Sequence, residues 1–493
     1  MAAATGLLVG VLLLWALVTP AFRGPDEPQH VSTTMRLAIG DGYPPFPTAR
    51  IDDAVRAAGR WVGFPGLSRV FTDTVPLAPR PSDLADAPSL AELRVGDYDR
   101  DTELFDQMTQ HAPAYYAYLA GGAVLLDLDS RSPAAVVLVL RLMSILLLVP
   151  VPWLIARSGL LMGLPPSLSA AGAFIPAGWI QFTHIGALVN NGTLLVLAAS
   201  VLTWLLIPVV GGDVGLRRAG AIGAVLSVAL LTKGFALGFV PLVALAYLAA
   251  LRHARPAESV RPWVVLAATS IPGLSWYAAN LVRYGTPQPS SVLADDPTVE
   301  PGPFADWAVG FFDTFSDSTW AMLGWAETPL PTAIHASASL GLLALMGLGA
   351  WRLRRRGIEV LILLGTIALP LLIVLYGSWQ AWGAFGQVTG AWGRYVFTGV
   401  VAMAVLACAA LVPVWRWAPA VPALVSLPAT AGLVFGLRHF WVPPFPSTPL
   451  TWWPAATALA LGGVMAVRGG IVVGTVTLRR VSRGAIATVG TAT

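Results

Sequence analysis

Apolar stretches of about 20 residues recur between Gly6 and Val467, separated by short polar loops where arginines gather. A helix of that length crosses the hydrocarbon core of a bilayer. It also keeps its backbone hydrogen bonds to itself where no water can satisfy them. The pattern predicts an all-α polytopic membrane protein. Its spans are expected near 3–21, 134–155, 167–186, 190–210, 219–232, 235–251, 263–281, 333–351, 358–377, 395–414, 418–437 and 452–467. The first begins almost at Met1 with no basic region before it, which favours a membrane anchor over a cleaved signal peptide.

The arginines orient these spans, because cytoplasmic loops carry the excess of basic residues. Arg352, Arg354, Arg355 and Arg356 form the densest cluster. Arg217 with Arg218, Arg252 with Arg255 and Arg261, and Arg468 with Arg479, Arg480 and Arg483 join it on one side if about twelve helices cross and both termini are cytoplasmic. Residues 112–126 are apolar but short, and a span there would invert every later loop. They are therefore expected as a helix lying in the outer interface. A single membrane domain, 1–493, then carries a long first external loop over 22–133 and a second, aromatic and amphipathic external segment over 282–332. Shorter outer loops follow at 378–394 and 438–451.

Composition agrees with the pattern. Hydrophobic residues make up 56% of the chain and charged residues 11%, against roughly 25% charged in soluble domains. Nineteen tryptophans suit two membrane–water interfaces. The net charge of +4 resides in short loops, so it reads as topology and no nucleic-acid partner is expected. The single cysteine, Cys408, excludes an intrachain disulfide. Richness in Ala, Gly and Arg points to a GC-rich bacterial genome, hence a bacterial plasma membrane.

Charges at a membrane boundary are expensive unless paired or functional, and the unusual ones gather on the expected outer side. Asp26 and Glu27 follow the first span. Adjacent carboxylates can act as a general base or hold a divalent metal, Mg or Mn. They also suit the first turn of a helix after Pro25. His111 and Tyr115 open the interfacial helix, where tyrosines anchor readily. Asn190 and Asn191 lie between two spans and suit a turn. Lys233 is the only lysine in the chain, a compact charge suited to phosphate, although a lysine there can also snorkel to headgroups. Arg283 and Arg394 flank external segments, where a guanidinium fork can clamp phosphate or meet lipid nonspecifically.

Six motifs then carry a resemblance. Pro25-Asp-Glu-Pro-Gln-His30, His111-Ala-Pro-Ala-Tyr-Tyr116, Val189-Asn-Asn191, Thr232-Lys-Gly234, Trp276-Tyr-Ala-Ala-Asn-Leu-Val-Arg-Tyr-Gly285 and Gly393-Arg-Tyr395 occur in order. Together they resemble the bacterial membrane family catalogued as domain of unknown function 2142, over residues 22–400. That family is similar to the GT-C glycosyltransferases, which use polyprenyl-phosphate-linked sugars and carry an acidic motif in the first external loop. The resemblance implies Asp26, with Glu27 as companion, as catalytic carboxylate. In such a mechanism Lys233, Arg283 and Arg394 are the expected carrier-phosphate ligands, and His30, His111, Tyr115, Asn190, Asn191 and Tyr395 are the substrate-loop candidates. Ala112 and Ala114 depart from the family's usual His-Pro-Pro-Leu-Tyr pattern, and Gly192 replaces the commoner Asp after Asn191.

The expected activity is inverting transfer of a sugar from a polyprenyl-phosphate carrier to a glycan, lipid or protein acceptor of the cell envelope, on the outer face. The chief rival is a transporter or flippase of a lipid-linked saccharide. That rival calls for repeated halves and broken helices, neither of which the sequence displays. A polysaccharide polymerase or ligase and a noncatalytic scaffold are further alternatives.

Overall fold

The computed structural model describes residues 1–46, 48–64, 86–95, 105–253, 256–289 and 302–441. Their regular structure is helical, with one isolated bridge between Arg50 and Phe105 and no strand among the described residues. Six helices are long and apolar enough to cross a membrane: Pro133–Leu161, Gly192–Val210, Thr332–Arg352, Arg354–Phe385, Gly393–Ala410 and Val412–Phe440. The shorter helices Ala2–Val18 and Gly234–Ala250 are also apolar. Helices Leu216–Leu230 and Pro256–Tyr284 occupy two further expected spans. The expected span 452–467 and the arginines from Arg468 onward lie outside the described residues.

One expected span is not a single helix. Residues 166–186 form three short pieces, Pro166–Gly172, Ile175–Gly178 and Ile180–Gly186. Pro176 weakens the middle turn, and Trp179 adopts an extended backbone with ψ 100°. Irregular backbone at membrane depth survives where protein covers it. Here Trp179 is buried, and its indole donates to the Thr319 carbonyl at 2.6 Å.

The segment over 112–126 forms helix Ala114–Leu125. Its 12 residues extend about 18 Å at 1.5 Å per residue, too short for a bilayer core of about 30 Å. Tyr115, Tyr116 and Leu119 are buried, whereas Val124 and Leu125 are exposed. The helix packs on Glu27–Ile39. Both share a core with the short helices Asp53–Trp61 and Leu90–Val95, so the described parts of the first long loop pack together.

The arginine loops collect at one end of the bundle. Arg356 donates to the Leu161 carbonyl at 2.7 Å, and Arg218 pairs with Asp213 at 2.6 Å. Arg252, His253, Arg355 and Glu359 line one open basin. Helix Gly192–Val210 ends at this face and begins, 19 residues earlier, at Asn191. Asn191, Lys233, Asp26 and Arg394 therefore lie about one helix length, roughly 28 Å, from the arginine loops.

Candidate active site

Pro25 and the end of the first helix bring the chain into a turn where Asp26 takes a left-handed backbone, φ 62° and ψ 7°. Aspartate tolerates this region better than most residues, and such strain persists where the surroundings impose it. Asp26 occupies the N-cap position of helix Glu27–Ile39, but its side chain makes no capping hydrogen bond. One carboxylate oxygen instead accepts from Arg394 Nη2 at 2.7 Å, and the other from Gln107 Nε2 at 3.2 Å. Capping therefore does not explain this carboxylate.

Glu27 turns the other way. Arg141 grips it through Nε at 2.8 Å and Nη2 at 2.7 Å, while the backbone N–H groups of Phe22 and Val189 donate to the same oxygens. Arg141 also donates to the carbonyls of Ala16, Thr19 and Pro20, closing the end of the first helix. Glu27 is fully buried, and its hydrogen-bonding capacity is taken up by protein. This geometry corrects the expectation of two catalytic carboxylates: Glu27 anchors the turn that presents Asp26. A divalent metal on this carboxylate pair fits the geometry poorly. Glu27 has no free face, Asp26 is held by Arg394 and Gln107, and no three His, Cys, Asp or Glu side chains converge among the described residues.

Arg394 is placed by a close helix contact. The N–H of Gly393 donates to Ser318 Oγ at 2.8 Å, and a Cβ on Gly393 would stand 2.6 Å from the backbone nitrogen of Thr319. Only glycine allows that approach. Arg394 Nε and Nη1 are buried and make no hydrogen bond of good geometry among the described residues, the Tyr395 side chain lying against the guanidinium with its ring centre 5.5 Å from Cζ. A buried guanidinium with two idle donors is costly unless an anion completes it.

Lys233 lies in the loop between helices Leu216–Leu230 and Phe239–Ala250. Its ammonium donates to Asn191 Oδ1 at 3.2 Å and stands 5.0 Å from the Tyr395 ring centre and 5.5 Å from that of Phe235. Burial, reinforced by the Arg394 charge and opposed by Asp26, pulls its pKa down to about 7. The network continues beyond it. Asn191 Nδ2 donates to Tyr116 Oη at 3.4 Å, and Tyr116 Oη lies 3.0 Å from His30 Nδ1. Burial and the charges of Lys233 and Arg394 hold His30 well below the usual histidine range. His111 is lowered for the same reasons, burial first, and its buried Nδ1 has no partner among the described residues.

Other expected residues fall elsewhere. Tyr115 bonds to Ser144 at 2.7 Å within the packing, so Tyr116 is the member of that pair facing the site. Asn190 makes the turn, accepting from the Gly192 N–H at 2.7 Å, although it also lines the groove beside Lys233. Arg283 stands exposed at the end of helix Pro256–Tyr284 with its own neighbour Tyr284 beneath it. It does not join the other cations.

Two cavities meet at Arg394. One is narrow and mostly apolar, lined by Phe182, Lys233, Phe235, Tyr395 and Phe397 among others. The other, about 360 Å³, is lined by Asp26, Gln29, Gln107, Gln181, Trp325 and Trp392 among others. Small-molecule sites typically span about 300–1,000 Å³. Asp106 supports this second cavity from behind. It accepts from Ser32 at 2.9 Å, Thr33 at 3.0 Å and the Met108 N–H at 3.1 Å, which caps the short helical turn Gln107–Gln110 and ties it to helix Glu27–Ile39. Burial raises its pKa to about 6.

Sequence reasoning passed over Arg141, Asp106, Gln29, Gln107 and Gln181. Arg141 alone carried a signal, a charge inside an apolar run. It also passed over a buried chain in which Glu327 accepts from Arg23 at 2.5 Å and lies 2.7 Å from His439 Nε2, tying helix Val421–Phe440 to the end of the first helix.

No family model matches the chain and no curated protein matches it, so membership of the family named domain of unknown function 2142 finds no support there. Among solved structures, the chain is similar to ArnT from Cupriavidus metallidurans in the apo state, with TM-score 0.42, 12% identity, and coverage of 94% of this chain and 74% of that one. The same protein bound to undecaprenyl phosphate gives TM-score 0.41, 13% identity and coverage of 96% and 77%. The Archaeoglobus fulgidus oligosaccharyltransferase in the apo form gives TM-score 0.40, 12% identity and coverage of 94% and 56%.

Proposed function

We propose that this chain is a membrane glycosyltransferase that moves a sugar from a polyprenyl-phosphate carrier to an envelope acceptor. The observation that carries this reading is Arg394: one edge holds Asp26, two buried donors are unfilled, and it stands where a narrow apolar groove meets a larger cavity whose mixed wall carries Asp26 and three glutamines. A lipid-linked sugar phosphate has that same sequence of parts. The phosphate fills the idle donors of Arg394 with Lys233 beside it, the sugar occupies the larger cavity, and the first prenyl carbons lie toward the apolar groove, which at about 30 Å³ must widen to admit the chain.

In the reaction, Asp26 takes the proton of the acceptor hydroxyl as its oxygen forms a bond to the anomeric carbon. The bond from that carbon to the phosphate oxygen breaks on the opposite side, and the electron pair leaves with the polyprenyl phosphate. In-line displacement inverts the anomeric centre. Arg394 and Lys233 stabilise the departing negative charge, the contribution expected to matter most. Gathering of the arginine loops at the far end of the bundle supports a site on the outer face of a bacterial plasma membrane.

The interrupted helix over 166–186 is a feature that transporters use, so movement of a lipid-linked saccharide is the competing reading. Purified protein in vesicles, supplied with a polyprenyl-phosphate sugar labelled in the sugar, separates the two. Glycosyl transfer yields free carrier and a labelled acceptor. Label that crosses the bilayer still attached to its carrier overturns the assignment.

A further inference from the structure

The larger cavity carries polar groups that the phosphate and the proton transfer leave unused. Gln29 and Gln181 are 4% and 3% exposed, both line the cavity, and the amide oxygen of each is buried without a partner among the described residues. Buried amides are ordinarily hydrogen-bonded, so two glutamines on one cavity wall, each with an unpaired amide oxygen, call for a ligand that forms hydrogen bonds. They come from unrelated elements. Gln29 lies three residues beyond Asp26, in the first turn of helix Glu27–Ile39. Gln181 projects from the last piece of the interrupted helix, just past the extended residue Trp179. A continuous helix would give that segment a different rotation, so the break has a local consequence.

The wall also includes Trp325, whose indole donates to the Phe22 carbonyl at 3.0 Å and is thereby held in place. Asp26 is the cavity's carboxylate and is already paired with Arg394. A neutral ring with several hydroxyls and an apolar C–H face matches these surroundings.

We infer that Gln29 and Gln181 form the sugar-reading wall of the site, recognising hydroxyl groups of an uncharged polyhydroxylated ring. This rests on the carrier-phosphate reading above. Where a site is built to bond hydroxyls, a ligand lacking them leaves its polar groups unpaired and is rejected.

The test is equilibrium binding to the detergent-purified full chain. The probes are undecaprenyl phosphate and its glucosyl, galactosyl, mannosyl and ribosyl derivatives. At least one sugar-bearing probe should bind about tenfold or more tighter than the bare carrier. Gln181→Leu and Gln29→Leu should each erase most of that increment, with affinity for the bare carrier held within about twofold. The milder Gln181→Asn provides a second variant with the amide withdrawn by one methylene. If no sugar adds affinity, or if the substitutions weaken bare and glycosylated carrier alike, the sugar-reading wall is overturned. If the bare carrier fails to bind, or binds equally well to Arg394→Ala, the carrier-phosphate reading has failed instead.

Discussion

Asp26 and Glu27 are neighbours in sequence and opposites in environment. Glu27 is fully buried, with four protein donors on its two oxygens. Asp26 is 18% exposed, faces a cavity and shares Arg394 with two unfilled donor positions. A completed buried pair fixes structure, and breaking it leaves a lone charge in a medium that cannot solvate it. A pair left incomplete beside a cavity has capacity for a ligand. The contrast separates scaffold from chemistry between adjacent residues that share charge type and helix end.

The largest expected effect belongs to Asp26→Asn. Transfer should fall about 10²–10⁴-fold, the usual worth of a positioned base, while thermal unfolding and membrane insertion stay as in the parent. Full activity in this variant would remove Asp26 from the reaction. Glu27→Gln should give the reverse phenotype. Stranding Arg141 should cost about 3–5 kcal/mol of stability, seen as lost yield or a lowered unfolding temperature, with the surviving folded fraction still active. Equal stability of the two variants would erase the contrast.

Arg394→Lys keeps the charge but loses the fork, and affinity for undecaprenyl phosphate should fall about tenfold or more. The pH response comes from Lys233. Its pKa in the free site is about 7, and its charged form is the one that attracts phosphate. For a glycosylated carrier, a phosphodiester whose charge is constant over this range, affinity should therefore be level below about pH 7 and decline above it, by at most tenfold per unit, until the higher pKa of the bound state is passed. Lys233→Arg, charged throughout, should flatten the profile. A parent protein whose affinity does not change between pH 6 and 9 would set Lys233 apart from the phosphate. The smallest effect is expected at Asn190→Ala, which removes a turn hydrogen bond worth about 1 kcal/mol. Asn191→Ala should instead weaken carrier binding by releasing Lys233.

The same division recurs wherever the sequence offered twins. Of Tyr115 and Tyr116, the first packs on Ser144 and the second meets His30. Of Asn190 and Asn191, the first closes a turn and the second holds Lys233. Arg394 and Arg283 looked alike as flanking arginines, yet one is buried beside Asp26 and the other is exposed on its own helix end. The motifs were legible because polar residues interrupting apolar runs are conspicuous. Gln29 and Gln181 were not, because a glutamine is ordinary until its burial and lack of a partner are known.

The sequence by itself determined the helical membrane class, the short helix at 114–125 and the segregation of arginine loops from the acidic turn. These follow from the length and polarity of successive stretches, which need no knowledge of distant contacts. Tertiary structure alone decided which of two adjacent side chains turns toward the cavity, since neighbouring residues on a helix point about 100° apart and packing fixes the rotation. It also decided that Arg141 completes Glu27 from 114 residues away while Arg394 meets Asp26 across 368. Long-range charge pairing depends on where whole helices are laid side by side, and no local pattern encodes it.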